Sequence, residues 1–333
     1  MWEGKPFLGR DREQLETFLG KMDLEYDDGI EYSVCMANEE GEIIATGSVE
    51  ENVLKCIAID PSCQGQGLSG IILSQLAQYA VGQGRTHLFM YTKPKNLEMF
   101  ADLGFYPIIQ TSEVLFMENR PEGFKKFMAQ VKAETPKEAL EGRKRIGAVV
   151  ANGNPFTLGH RYLLEQAVKQ CDWIHLFILS DRRTFFSPQA RFAMAKAGIV
   201  GLEKVILHQT SDYMVSAATF PTYFMKEKAQ AKKANCRLDL ELFARKIAPE
   251  LGIQKRFVGT EPECLVTDNY NQSMKEILPG YGIQVVEIAR KELNGQPVSA
   301  SRVREAVKSG CLQEIREMIP ESTYSYLVEH SVK

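Results

Sequence analysis

Thr157 and His160 stand three residues apart where an apolar run gives way to a helical pattern, in Asn152-Gly153-Asn154-Pro155-Phe156-Thr157-Leu158-Gly159-His160. A helix N-terminus offers unpaired backbone N–H groups and a partial positive charge, so it attracts phosphate. Gly153 and Gly159 allow close approach of backbone to ligand. At this spacing a hydroxyl and an imidazole can address one phosphate, donating hydrogen bonds to oxygens whose charge grows during displacement. They would stabilise rather than attack. Taken alone the string is weak, because a lone histidine at a helix start is more often a cap or a packing residue.

A second candidate lies near the C-terminus, in Pro297-Val298-Ser299-Ala300-Ser301-Arg302-Val303-Arg304. Its hydroxyls precede an apolar-periodic helix whose first turn carries two arginines. The plain reading is a serine N-cap with solvated arginines. The chemical reading is a second anion-binding helix start, suited to the β- and γ-phosphates beside the first site. A third candidate is Gln64-Gly65-Gln66-Gly67-Leu68-Ser69-Gly70, a glycine-rich turn between a strand and an apolar helix, whose amides make an anion nest.

The elements that would position these residues follow from periodicity. Strands are predicted at Ile30 to Met36, Ile43 to Ser48 and Val53 to Ile59, then a helix from Leu68, a strand at His87 to Tyr91, a helix near Asn96 to Leu103 and one strand at Phe105 to Phe116. That is a mixed α/β domain over 1–118. The charged, helix-forming stretch 119–145, punctuated by Pro121 and Pro136, reads as a connector. A second domain, 146–333, alternates strands (Ile146 to Ala151, Trp173 to Leu179, Val205 to Gln209, Arg256 to Gly259, Ile283 to Ile288) with helices, the first from about His160 to Lys169. Such alternation predicts a doubly wound parallel sheet covered on both faces.

Composition sets the outer bounds. The chain has 333 residues, 44% hydrophobic and 25% charged, enough for two packed cores. Forty basic against 43 acidic residues leave a net charge of -3, which lacks the footprint of a nucleic-acid binder, so phosphate binding should be local. The cysteines at 35, 56, 63, 171, 236, 264 and 311 form no Cys-x-x-Cys pair and no zinc-like spacing with histidine. They point to no metal held by protein side chains, and most are expected to be small buried hydrophobes. The N-terminal residues lead into charged sequence and no long apolar run occurs, so a cytoplasmic protein without membrane association is expected.

The loop Asn152 to His160 resembles the Thr/His-x-Gly-His signature of the nucleotidyltransferase superfamily, and Val298 to Arg302 resembles its Ile-Ser-x-x-Arg signature. More narrowly, Asn152 to Leu164, Ser216 to Phe224, and Val258-Gly259-Thr260-Glu261-Pro262 with Tyr270-Asn271 resemble the citrate lyase ligase family. The segment Gln64 to Gly70 resembles the acyl-CoA-binding loop of the GNAT acetyltransferases, with Ser69 a mild departure; Asn96 to Phe100 and Leu103 to Tyr106 are similar to later segments of that fold.

The resemblance implies adenylation of acetate by ATP with Mg²⁺, release of pyrophosphate, and transfer of the acetyl group to the CoA-like thiol on the acyl carrier subunit of citrate lyase. Thr157, His160 and Arg302 would be catalytic, the first two on the α-phosphate and Arg302, with Ser299 and Ser301, on the outer phosphates. Gly259, Thr260 and Glu261 would lie along ribose and adenine, and Asn154, Phe156, Gly159 and Val298 would complete the nucleotide site. Gln64, Gly65, Gln66, Gly67, Ser69, Gly70 and Asn96 would dock pantetheine. Mg²⁺ would be held through phosphate oxygens.

Other assignments stay open. Asp212 to Ser216 with Phe220 forms either a small acyl pocket or core, and Glu50, Glu51 and Tyr106 are all candidate bases, none singled out by spacing. The second domain could instead adenylylate a phosphorylated cofactor precursor, and a GNAT acetyltransferase with a nucleotide-sensing domain is the third reading.

Overall fold

The computed structural model describes residues 1–214, 236–261 and 265–330. The resembling stretch Ser216 to Phe224, with Val215, Pro262 and Cys264, lies outside these. The described residues fall into two compact units, 1–123 with 236–238, and 124–214 with 239–261 and 265–330.

The first unit holds a seven-stranded sheet in the order β1-β2-β3-β4-β5-β7-β6. Its strands are β1 (Trp2–Gly4), β2 (Tyr32–Ala37), β3 (Ile43–Glu50), β4 (Val53–Ile59), β5 (Phe89–Thr92), β6 (Tyr106–Gln110) and β7 (Leu115–Glu118). Helices α1 (Gly9–Lys21), α2 (Leu68–Gly82) and α3 (Leu97–Asp102) accompany it. Ile72, Leu73 and Leu76 of α2 meet Val34, Ala45 and Leu54 in the core. Where one strand was predicted from Phe105 to Phe116, the chain makes a hairpin. The Thr111 hydroxyl accepts from the N–H groups of Glu113 and Val114, reversing the backbone in a short side-chain turn. β1 and α1 carried no sequence signal strong enough to predict them.

Every pairing in this sheet is antiparallel except β4 with β5. Those two pair only at Val53–Phe89 and Leu54–Met90, although both strands run on. Cys56, with φ of 51°, sits at the register shift against β3, and such a bulge bends its strand. β4 and β5 therefore part beyond Leu54 and leave a wedge.

The second unit is built on a five-stranded, wholly parallel sheet in the order β10-β9-β8-β11-β12. The strands are β8 (Ile146–Ala151), β9 (Trp173–Ile178), β10 (Val205–Gln209), β11 (Ile253–Gly259) and β12 (Gln284–Ile288); a small hairpin, β13 (Glu292–Leu293) and β14 (Gln296–Pro297), follows. Its helices are α4 (Gly123–Glu134), α5 (Lys137–Leu140), α6 (Leu158–Val168), α7 (Pro188–Gly198), α8 (236–242), α9 (Ala248–Leu251), α10 (Leu265–Ile277), α11 (Ala300–Ser309) and α12 (Glu321–His330). From β8 the chain winds outward to β9 and β10, then returns to open β11 on the other side of β8. The crevice at the carboxyl ends of β8 and β11 is thus the topological switch point, where open α/β sheets hold ligands.

β9 and β10 are tied to α4 by buried imidazoles. The Glu134 carboxylate accepts from His208 Nδ1–H at 2.6 Å, and His208 Nε2 lies 2.9 Å from His175 Nδ1. A neutral His208 bonded in this way presents Nε2 as acceptor, so His175 Nδ1–H donates; His175 Nε2 has no hydrogen-bond partner among the described residues. Burial first, and then the neighbouring His208, holds His175 well below the ordinary histidine value; burial also lowers His208, opposed by Glu134. Half of the six cysteines in described positions are buried (Cys35, Cys56 and Cys171), Cys63 and Cys236 are intermediate and Cys311 is exposed, so the expectation that most are buried is too strong.

Because both histidines are lowered in the native chain, the unfolded chain takes up protons from about pH 6.5 downward before the native one does. Stability is therefore full above about pH 6.5 and falls as the pH drops, the His175 contribution approaching about 1.4 kcal/mol per pH unit well below 6.5. Urea unfolding of His175→Phe between pH 7.5 and 5.5 is expected to lose about 1.4 kcal/mol less in total than the unaltered chain; an equal loss contradicts this origin.

Candidate active site at the switch point

Leu158–Val168 begins as a helix because Thr157 caps it. The Thr157 hydroxyl accepts from His160 N–H at 3.4 Å, and His160 Nδ1 accepts from Thr157 N–H at 3.0 Å, closing a reciprocal capping box. The same hydroxyl lies 2.8 Å from Nδ1. Since Nδ1 accepts a backbone N–H it carries no proton, so the neutral ring bears its hydrogen on Nε2. Burial, and secondarily the charge of Arg290, pushes His160 down to about 4. The ring is thus a neutral donor at physiological pH.

Phe156 stacks behind this imidazole, ring centroids 5.5 Å apart, and is fully buried where Gly198 leaves no Cβ in its way. Its placement corrects the expectation that Phe156 meets the nucleotide, for its surface is spent on the core. Thr157, 2% exposed, turns its hydroxyl onto the ring and so acts first as the imidazole's support.

A cavity of about 280 Å³ opens here, lined by Thr157, Gly159, His160, Gly259, Glu261, Arg290, Lys291 and Val298 among others. Ala300, the first residue of α11, lines it too, so the N-termini of α6 and α11 face one space. Val298 O lies 3.5 Å from where a Gly159 side chain would begin, an ordinary contact distance, so the chain entering α11 packs against the first turn of α6. Opposite, Arg290 donates from Nε to Thr260 O at 2.7 Å, donates from its backbone N–H to Thr260 Oγ1 at 3.2 Å, and pairs with Glu261. Asn271 of α10 donates to Gly259 O at 3.1 Å.

The structure does not bring every expected residue to the cavity. Asn154 is buried beneath the loop, accepting from Phe186 N–H with its side chain and from Arg304 with its carbonyl. Thr260 is engaged by Arg290, Ser299 is buried at the α11 N-cap position, and Ser301 and Arg302 are exposed outside the lining. Arg304 proves to be the arginine that ties α11 to the β8–α6 loop, through Asn154 O at 2.6 Å and Ser301 Oγ at 2.7 Å. Tyr213 and Met214 are buried, with Tyr213 packed on Phe124 and Phe127, so this part of the proposed acyl pocket is core.

Arg290 and Lys291 carried no motif, and Arg191 looked like any helix arginine. Arg191 is wholly buried and donates to Asn152 O and Oδ1, Phe186 O and Asp181 O, binding the β8–α6 loop to the β9–α7 loop.

In the first unit, the wedge between β4 and β5 opens into a cavity of about 690 Å³. Gln64, Gly65, Gly67, Ser69, Gly70 and Asn96 line it, with Lys55, Lys93 and Lys95; Gln66 points elsewhere, outside the lining. Gly65 and Gly67 have φ of 79° and 74°, a conformation that costs a side chain, and α2 starts from Gly67. Asn96 donates to Thr92 Oγ1 at 2.8 Å. Glu50 is paired with Lys55, and neither it nor Glu51 or Tyr106 lines the wedge.

No cluster of His, Cys, Asp or Glu among the described residues is arranged to hold a metal, and no helix there is long and apolar enough to cross a membrane.

A parallel sheet with two helix N-termini on its switch-point cavity, joined in one chain to an acetyltransferase-type unit, defines a two-part α/β enzyme whose second unit is a Rossmann-like, doubly wound sheet. The citrate lyase ligase C-terminal domain family matches residues 146–327, and the acetyltransferase (GNAT) family matches residues 4–105. The chain is 44% identical to the citrate (pro-3S)-lyase ligase of Klebsiella pneumoniae, covering 96% of this chain and 93% of the relative. It is 40% identical to that of Haemophilus influenzae (94% of each chain) and 36% identical to that of Escherichia coli K12 (96% and 91%). The chain belongs to the citrate lyase ligase family and is a ligase.

Replacing Arg191 by Met would leave its carbonyl acceptors unmet, so R191M is expected to lose about 2–4 kcal/mol of stability to urea. A loss below about 1 kcal/mol would show that the two loops hold together without it.

Proposed function

We propose that this chain activates citrate lyase by acetylating, at the expense of ATP, the thiol of the CoA-like group on its acyl carrier subunit. An acetate oxygen attacks the α-phosphorus of ATP, the bond to the β-phosphate oxygen breaks, and pyrophosphate leaves. The thiolate then attacks the carbonyl carbon of acetyl-AMP; the thioester forms and AMP leaves with the electron pair.

The observation that carries this reading is the single cavity onto which the N-termini of α6 and α11 and the His160 ring converge. His160 would donate from Nε2 to an α-phosphate oxygen, while Thr157 holds the ring through Nδ1. A neutral donor needs no proton transfer to do this, and its depressed pKa keeps it neutral. Arg290 and Lys291 would offset phosphate charge, and the exposed Arg302 would reach the outer phosphates. Gly259 and Glu261 would border the nucleoside. Mg²⁺ would arrive on the phosphate oxygens of the substrate, without a ligand set from the protein.

In this reading 146–333 is the adenylating domain, 1–118 the pantetheine-docking domain and 119–145 their connector. The wedge suits a pantetheine arm: its amide nest at Gly65–Gly70 with Lys93 and Lys95 matches phosphate, and its length of strand edge matches amide groups. An ordinary cytoplasmic setting is consistent with the absence of any membrane-spanning helix among the described residues.

Acetate-dependent exchange of labelled pyrophosphate into ATP is the direct test, run with a panel of carboxylates. Exchange should occur with acetate and fall roughly 100- to 1,000-fold in His160→Ala; no exchange at any acetate concentration overturns the reading. In the Gly65→Val, Gly67→Val double variant, exchange is expected to persist while acetyl transfer to the carrier drops at least about tenfold, because both positions need positive φ. Transfer and exchange both unaltered would remove the docking role.

A further inference from the structure

The switch-point cavity contains a cation that phosphate binding at the helix N-termini leaves unused. Arg256 stands on β11, three residues before its end at Gly259, and is 3% exposed. It lines the cavity together with Tyr270 and Met274 of α10. Its guanidinium carbon lies 4.5 Å from the centre of the Phe243 ring, so an aromatic face covers one side. Among the described residues, Nε and Nη1 have no hydrogen-bond acceptor. Asp239 acts on it electrostatically, but that carboxylate already accepts from the Tyr270 hydroxyl.

The contrast with Arg191 is informative. Both guanidiniums are buried in the same unit, yet Arg191 is surrounded by oxygen acceptors and has none to spare for a ligand. A buried cation with open donors is costly and stays charged at neutral pH, so a site that keeps one is built to receive an anion. Its position favours a carboxylate over a phosphate. Backbone amides and the His160 ring serve phosphate at the mouth of the strands, whereas Arg256 lies further back along β11 against Phe243 and Met274. A charged guanidinium donor beside apolar side chains fits one oxygen of a carboxylate carrying a short alkyl group.

We propose that Arg256 is the carboxylate-recognition residue for the acid substrate. It donates to one oxygen of a short-chain carboxylate and leaves the other oxygen free to attack the α-phosphorus. The assignment names the second substrate of the adenylation reading and rests on it for that last step.

The test uses the full-length chain and two readouts. In acetate-dependent pyrophosphate exchange, Arg256→Gln is expected to raise the KM for acetate roughly 30- to 100-fold and Arg256→Lys about tenfold, with the KM for ATP within about twofold. In thermal melts at matched ionic strength, sodium acetate should stabilise the unaltered chain, acetamide should not, and neither should stabilise Arg256→Gln. An unchanged acetate KM in Arg256→Gln, or equal stabilisation of it by acetate, overturns the proposal. Should Arg256→Gln fold poorly, an acetate KM in Arg256→Lys equal to that of the unaltered chain, or no preference for acetate over acetamide in the unaltered chain, overturns it equally. Absence of exchange alongside Arg256-dependent acetate stabilisation would refute adenylation and leave the carboxylate subsite standing.

Discussion

One imidazole nitrogen organises the catalytic end of this molecule. By accepting the Thr157 N–H, His160 Nδ1 closes the cap of α6, fixes which tautomer exists and leaves Nε2–H as the only donor the ring can offer. The cap and the candidate catalytic group are therefore one interaction. Phe156 behind the ring and Gly198 behind Phe156 set its depth. A substitution at any of these positions acts on the ring through packing before it touches a ligand.

Three arginines divide the remaining labour. Arg191 is saturated by oxygen acceptors and fastens two loops, a structural use that makes the positions of Asn152 and Asp181 mutually dependent. Arg290 is shared between Thr260 and Glu261 and shapes the nucleoside side of the cavity. Arg256 has donors left over. The difference among them lies only in how many acceptors surround each, which is a property of the assembled unit.

The two units solve the approach of a polar ligand to a sheet differently. In the second, parallel strands switch winding direction between β8 and β11 and open a crevice at their ends. In the first, a bulge at Cys56 ends the pairing of β4 with β5 and opens the sheet itself. Both openings are followed by a helix whose N-terminus, at Gly67 or Thr157, supplies amide donors.

Much of this was legible in the sequence because it depends on local pattern. The runs Val53–Ile59, Ile146–Ala151 and Val205–Gln209 are strands where apolar periodicity puts them, and the glycines at 65 and 67 marked a turn, which the structure makes with positive φ at both. The pairing of Thr157 with His160 followed from a spacing of one helical turn. Reversal at Thr111 was missed because a threonine side chain makes the turn, in the short polar stretch Gln110 to Glu113, with no glycine or proline at the reversal itself. The direction of the Thr157 hydroxyl, the burial of Phe156 and the separate uses of Arg191, Arg256, Arg302 and Arg304 were decided only by tertiary structure. Spacing fixes which residues share a turn of helix, whereas the number of acceptors and the amount of apolar surface around a side chain come from segments far away in the chain.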